Sequence, residues 1–254
     1  MLIDTHSHIY TEDFSHDMDD VVQNAYNNNI KKIVLPNINS GTVKRLLDLS
    51  DSYPHLCYPL MGLHPTSVSS DYRDEIQAVE YWLEKRKFYG IGEIGIDLYW
   101  DKTYANEQAE AFRHQLKLAK SLQLPVVIHL RNSFNEVYQI VKEEQDGSLK
   151  GIFHCFSGDE TEARKIIDLG FLLGIGGVVT YKNSNLAEVL CHVELQNLVL
   201  ETDAPYLPPV PKRGRRNESS YLIYIAQKIS EIFETPVEKV ADITSANARN
   251  LFGF

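Results

Sequence analysis

Two histidines separated by one residue, His6 and His8, stand in the opening segment Leu2–Ile9. In a strand, residues i and i+2 point to the same side, so these imidazoles project together. Further ionisable residues recur at the ends of other apolar runs. Glu93 lies in Gly92-Glu93-Ile94-Gly95-Ile96-Asp97, and His129 in Val127-Ile128-His129-Leu130-Arg131. His154 lies in Ile152-Phe153-His154-Cys155-Phe156, and Asp203 in Leu200-Glu201-Thr202-Asp203-Ala204-Pro205. A lone histidine in such a place is ordinarily a satisfied core residue. Four imidazoles and two carboxylates at corresponding positions are a different matter, because buried ionisable groups are costly unless paired or coordinated. The set suits two borderline divalent ions with a carboxylate available to bridge them. Two cations roughly 3.5–4 Å apart can clamp the attacking and leaving oxygens of a phosphoryl displacement.

Other polar residues stand where an anionic substrate would be gripped. His64, in Gly62-Leu63-His64-Pro65, reads either as a turn histidine or as a group at the same end as the ligands. Arg131, two residues past His129, offers either a fork of donors to phosphate or an ion pair with Glu201. The one strongly basic stretch, Pro208–Glu218, carries Lys212, Arg213, Arg215 and Arg216 directly after the Asp203 segment. In an acidic chain it reads as a phosphate-binding lip, a solvated loop being the plain alternative. Cys155 is expected to pack as a small hydrophobe rather than act as a nucleophile.

These residues need a scaffold that brings distant segments together. Eight Val-, Ile- and Leu-rich runs read as buried parallel strands: Leu2–Ile9, Lys32–Pro36, Cys57–Leu63, Gly90–Ile96, Pro125–Leu130, Gly151–Phe156, Phe171–Val178 and Leu198–Glu201. Amphipathic stretches alternate with them at Asp17–Asn28, Thr42–Ser52, Asp74–Lys87, Glu107–Leu122, Phe134–Glu144, Glu160–Leu169 and the shorter Asn185–His192, before Ser219–Phe233 and Val237–Leu251. The alternation predicts an α/β fold, a TIM (β/α)8-type barrel over residues 1–254 as one domain. In that fold, sites form at the C-terminal ends of the strands.

The 25 basic and 35 acidic residues give a formal charge of −10, which disfavours a protein that coats nucleic acid by neutralising phosphates. Bound divalent cations would reverse that sign locally. Three scattered cysteines, the lack of a long apolar run and the lack of a leader pattern predict a cytoplasmic protein with no membrane partner.

In combination, His6-x-His8, the Glu93 and His129-x-Arg131 segments, His154-Cys155-Phe156-Ser157-Gly158 and Glu201-Thr202-Asp203-Ala204-Pro205-Tyr206-Leu207 resemble the TatD-type metal-dependent deoxyribonucleases. The likeness extends over essentially the whole chain, down to Asn247-Ala248-x-x-Leu251-Phe252. It implies an amidohydrolase-like barrel with one ion on His6, His8 and Asp203, a second on His129 and His154, and Glu93 between them. It also implies substrate contacts for His64 and for Lys182, within Tyr181-Lys182-Asn183. Asn132-Ser133 and Glu218-Ser219 depart from the family's usual Asp-Ala and Glu-Pro, which bears on substrate preference rather than on metal binding.

The expected reaction is hydrolysis of DNA phosphodiesters with two divalent cations (Mg2+, Mn2+ or Zn2+). Water activated by the metals attacks phosphorus in line while Asp203 accepts its proton. A recessed mouth favours single-stranded ends, and the resemblance points to 3′-to-5′ exonuclease action. The rival readings are a metal-dependent hydrolase of an amide, lactone or phosphotriester, and a non-catalytic protein that retains the fold.

Overall fold

In the computed structural model, which describes residues 1–254, the strands are β1 (Leu2–Asp4), β2 (Ile30–Leu35), β3 (Cys57–Pro59), β4 (Ile91–Asp97), β5 (Val126–Arg131), β6 (Gly151–Phe153), β7 (Leu172–Ile175) and β8 (Leu198–Leu200). They form two parallel ladders in chain order, β1 to β3 and β4 to β8. Isolated bridges join the ladders at both seams, Met61 to Ile91 and Ser7 to Ala204. Backbone hydrogen bonds reinforce them: Gly92 N donates to Met61 O, Thr5 N to Leu200 O, and His8 N to Ala204 O. The result is the expected barrel, with seams held by single bridges instead of long ladders.

The helices are α1 (Met18–Asn27), α2 (Val43–Ser52), α3 (Tyr72–Lys85), α4 (Ala105–Leu122), α5 (Phe134–Glu144), α6 (Glu160–Asp168), α7 (Leu186–Leu190), α8 (Leu222–Ile232) and α9 (Val237–Phe252). None is long and apolar enough to cross a membrane. Their ends follow ordinary capping chemistry. Asp159 and Glu162 close a reciprocal capping box on α6, and Gly253, at φ 71°, terminates α9 in the left-handed conformation.

Strand alternation explains how apolar segments deliver polar groups to one place. Val126 and Ile128 belong to the large core between sheet and helices, whereas Val127 belongs to a separate small cluster. That cluster takes Ile3, Val34, Leu60, Val127, Ile152 and Val199 from six strand segments, and α9 closes it with Ala248 and Phe252. With a period of two, the residues next in line after Val127, Ile152 and Val199 are His129, His154 and Glu201. The polar layer therefore sits directly above an apolar plug.

Several runs end earlier than expected. β1 stops at Asp4, β6 at Phe153 and β7 at Ile175. Asp4 spends its carboxylate on Thr202 N and Oγ1, and Cys155 turns left-handed at φ 49°, so both chains leave the ladder at the mouth. Gly95 in β4 illustrates how tightly the layer is built. Its φ is 144°, and a Cβ there would lie 1.9 Å from the carbonyl oxygen of His129. Gly95→Ala is accordingly expected to cost at least about 2 kcal/mol, read as a lowered thermal midpoint in circular dichroism.

Candidate metal centre

Glu93 is the hub of the polar layer. It is buried, and its two carboxylate oxygens face different partners. Oε2 lies 3.1 Å from His6 Nε2 and 3.2 Å from His8 Nε2. Oε1 lies 2.8 Å from both His129 Nδ1 and His154 Nε2, and 3.3 Å from His64 Nε2. The His6 and His8 Nε2 atoms are 3.1 Å apart, and Asp203 Oδ1 stands 3.7 and 3.9 Å from them. His129 Nδ1 and His154 Nε2 are 3.3 Å apart. The six side chains singled out from the sequence thus converge on one pocket.

Hydrogen bonding on the far side of each ring decides what it presents to the pocket. Tyr10 donates its hydroxyl to Pro36 O and so accepts from His8 Nδ1, leaving the His8 Nε2 lone pair inward. Asp97 Oδ2 receives His129 Nε2–H at 3.1 Å, which leaves Nδ1 inward. His64 differs: its Nδ1 accepts from Thr66 N and pairs with Thr66 Oγ1, so the neutral ring points an N–H inward.

Inward lone pairs on His8 and His129 therefore face carboxylate oxygens, acceptor against acceptor, unless a proton or a cation lies between. Donors around a tetrahedral cation at about 2.0–2.2 Å would lie roughly 3.3–3.6 Å apart, close to the spacings in the His6–His8–Asp203 group. On the ring edges away from Glu93, the buried Nδ1 atoms of His6 and His154 have no hydrogen-bond partner, nor does one oxygen of Glu201. The donor set fits divalent metal ions, with His6, His8, Asp203 and Glu93 Oε2 on one side and His129, His154 and Glu93 Oε1 on the other.

Protonation in the metal-free centre follows the same geometry. Burial would raise Glu93, but the surrounding imidazoles, His154 foremost, reverse this and hold it well below the usual carboxylate range. Burial and the neighbouring His154 charge push His6 well down. For His154, burial acts downward, and the carboxylates of Glu93 and Glu201 outweigh it. Burial lifts Asp203 to about 6 against the pull of His154 and His8. Asp203 also holds a left-handed φ of 57°, the kind of strained backbone that functional sites retain.

A family model described as TatD related DNase matches residues 3–253. The chain belongs to the TatD-related DNase family. Its relatives include the metal-dependent hydrolase YabD of Bacillus subtilis, itself uncharacterized, 36% identical over 99% of both chains. The 3′-5′ ssDNA/RNA exonuclease TatD of Salmonella typhimurium is 32% identical, covering 99% of this chain and 98% of its own. Among solved structures, the TatD homologue YjjV of Escherichia coli superposes with a TM-score of 0.92 at 31% identity, covering 100% of this chain and 98% of that one. This TatD-family chain is a metal-dependent hydrolase.

The remaining predicted positions of this TatD-family chain lie in different surroundings. His64 is at the centre. Arg131 does not pair with Glu201; its guanidinium stacks over Tyr99, 3.8 Å from the ring centroid. Lys182 and Arg213 line one groove with Ser157 and Tyr181, and Arg213 stacks on Tyr181 at 4.1 Å. Arg215 makes no ion pair and sits exposed on the same loop. Arg216, expected in the phosphate-binding lip, instead pairs through both terminal nitrogens with Asp17, donates to Asp13 O and covers the Phe14 ring. Its fork is occupied, so it belongs to the loop's anchoring. Arg216→Ala should lower stability by about 0.5–1 kcal/mol and leave KM for an oligonucleotide unchanged, as denaturant titration and steady-state kinetics would read.

Sequence reasoning missed Tyr10, Asp97 and Glu201 as supports of the ligands. Glu201 is fully buried, accepts from Cys155 N and lies 3.4 Å from His154 Nδ1. The signal was present for Tyr10, which continues the alternation of His6 and His8. Burial pushes the Cys155 thiol well above its ordinary range, in keeping with the packing role expected for it.

Proposed function

We propose that the chain is a divalent-metal-dependent deoxyribonuclease that hydrolyses phosphodiesters at single-stranded DNA ends in the 3′-to-5′ direction. The observation that carries this reading is Glu93, whose two oxygens each face a separate group of imidazoles, as a bridge between two cations requires. The named activity of the Salmonella relative supports the direction and the single-stranded substrate.

When bound, two such cations supply Lewis acidity at phosphorus and make water more acidic. The chain's own groups do the rest. Asp203 accepts the proton of the attacking water through its carboxylate. His64, whose neutral ring turns its Nε2–H towards Glu93 Oε1 at 3.3 Å in the metal-free centre, donates that N–H to a phosphate oxygen once cations engage the Glu93 carboxylate. Arg131, held over Tyr99, contributes a fixed charge; Lys182 and Arg213 line the groove by which the strand arrives, and the exposed Arg215 adds charge on the same loop. Tyr10 and Asp97 hold the His8 and His129 rings in register throughout.

The test is timed digestion of 5′-labelled single- and double-stranded oligonucleotides with Mg2+, Mn2+ or Zn2+ supplied separately. A ladder shortening from the 3′ end of the single strand, abolished by chelator, is expected. Turnover of a lactone, amide or phosphotriester panel with no cleavage of nucleic acid would transfer the site to another bond.

A further inference from the structure

We propose that Tyr99 and Trp100, overlaid by Arg131, form a stacking platform for an unpaired base next to the scissile phosphodiester; this rests on the nuclease reading above. Two large aromatics in consecutive positions stand in solvent, Tyr99 52% and Trp100 69% exposed. Neither serves the core. Their rings meet edge to face, with centroids 5.0 Å apart and planes at 86°. The Arg131 guanidinium lies 3.8 Å from the Tyr99 centroid and 5.2 Å from that of Trp100.

The pair is tied to the centre by Asp97. One oxygen of that carboxylate receives the backbone N–H groups of Tyr99 and Trp100 at 2.9 and 3.2 Å, and the other receives His129 Nε2–H at 3.1 Å. The Leu98 N–H bond to Arg131 O, 2.9 Å, locks the turn to the end of β5. A single acidic side chain thus sets both the presentation of a ligand imidazole and the position of the aromatic turn. The backbone of Arg131 is fixed beside it, and its cationic head lies against the two rings in a chain of net charge −10. This combination matches what an unpaired nucleotide offers: a flat π-face for the ring, and a phosphate for the guanidinium. A base inside a duplex is already paired and stacked, so the platform favours frayed or single-stranded ends.

Trp100 and Trp82 are the only tryptophans, and Trp82 packs against the core. In a Trp82→Phe background, fluorescence therefore reports Trp100 directly. The full chain with Mg2+ is titrated with a phosphorothioate-linked hexathymidylate, which resists cleavage. Abasic nucleotides are then placed in turn at its last three positions. Expected are quenching on binding and at least about a fivefold loss of affinity for one abasic position. In Trp100→Ala, read by anisotropy of a labelled hexamer, that abasic penalty vanishes; in Trp100→Phe part of it returns. The proposal is overturned if quenching is absent, or if the penalty is as large in Trp100→Ala as in the parent. Quenching and coupling without cleavage of any diester would uphold the platform and refute the nuclease reading.

Discussion

Glu93→Gln is expected to reduce turnover at least about 1,000-fold and to leave no more than one metal ion per chain. Both effects follow from one geometry. The carboxylate's oxygens stand at 2.8–3.2 Å from four imidazole nitrogens in two groups, and an amide offers only one neutral acceptor in that place. The nitrogen of the amide would set an N–H against either the His8 or the His129 lone pair, trading a bridge for a plug. The substitution also changes stability in a definite direction. Because the imidazoles hold Glu93 well below the usual range, its ionised form contributes stability near neutrality, lost only as pH falls through its folded pKa. Metal-free Glu93→Gln should therefore melt below the parent at pH 7. Metal analysis of the purified protein and single-turnover cleavage measure the two larger effects; full activity with two bound ions would refute the role given to this residue.

The second large effect concerns Asp203. Asp203→Asn should lower kcat by about 100- to 10,000-fold, because an amide cannot take up the water's proton. The stability change runs the other way. Burial lifts the Asp203 pKa to about 6 in the metal-free protein, so its ionisation is resisted by the fold. Stability is then fully present below the unfolded pKa and declines as pH rises towards 6. The penalty at higher pH is on the order of 3 kcal/mol. Metal-free Asp203→Asn should therefore be more stable than the parent at pH 8 and close to it at pH 4. A cation reverses the preference by favouring the carboxylate, so metal affinity of the parent should weaken as pH drops below about 6, with His129 and His154 adding further protons to be displaced. Thermal melts at the two pH values, and calorimetry in buffers of different ionisation enthalpy, read these outcomes. Equal melts at pH 8 would remove the burial-raised pKa of Asp203, and an unchanged kcat in Asp203→Asn would remove its proton-acceptor role.

Much of this centre is legible from residue order because a barrel strand has a period of two. His129 and His154 each lie two residues after an inward apolar residue, Val127 and Ile152, so polar groups interrupting an apolar alternation mark the mouth. The supports are less legible. Asp97 ends a strand in the ordinary way, and only the arrival of His129 from β5 gives its carboxylate a purpose. Arg216 shows the opposite failure. Its place in a basic run resembles a phosphate grip, yet Asp17, 199 residues away in sequence, claims the guanidinium. The closing role of α9 was equally hidden, since Ala248 and Phe252 fit any amphipathic helix until the barrel floor is seen.

The proposal of a two-cation centre is tested most directly by anomalous diffraction from crystals equilibrated with Mn2+. Two peaks roughly 3.5–4 Å apart are predicted, one against His6, His8 and Asp203, the other against His129 and His154, with Glu93 touching both. A single peak, or density away from Glu93, would contradict the account.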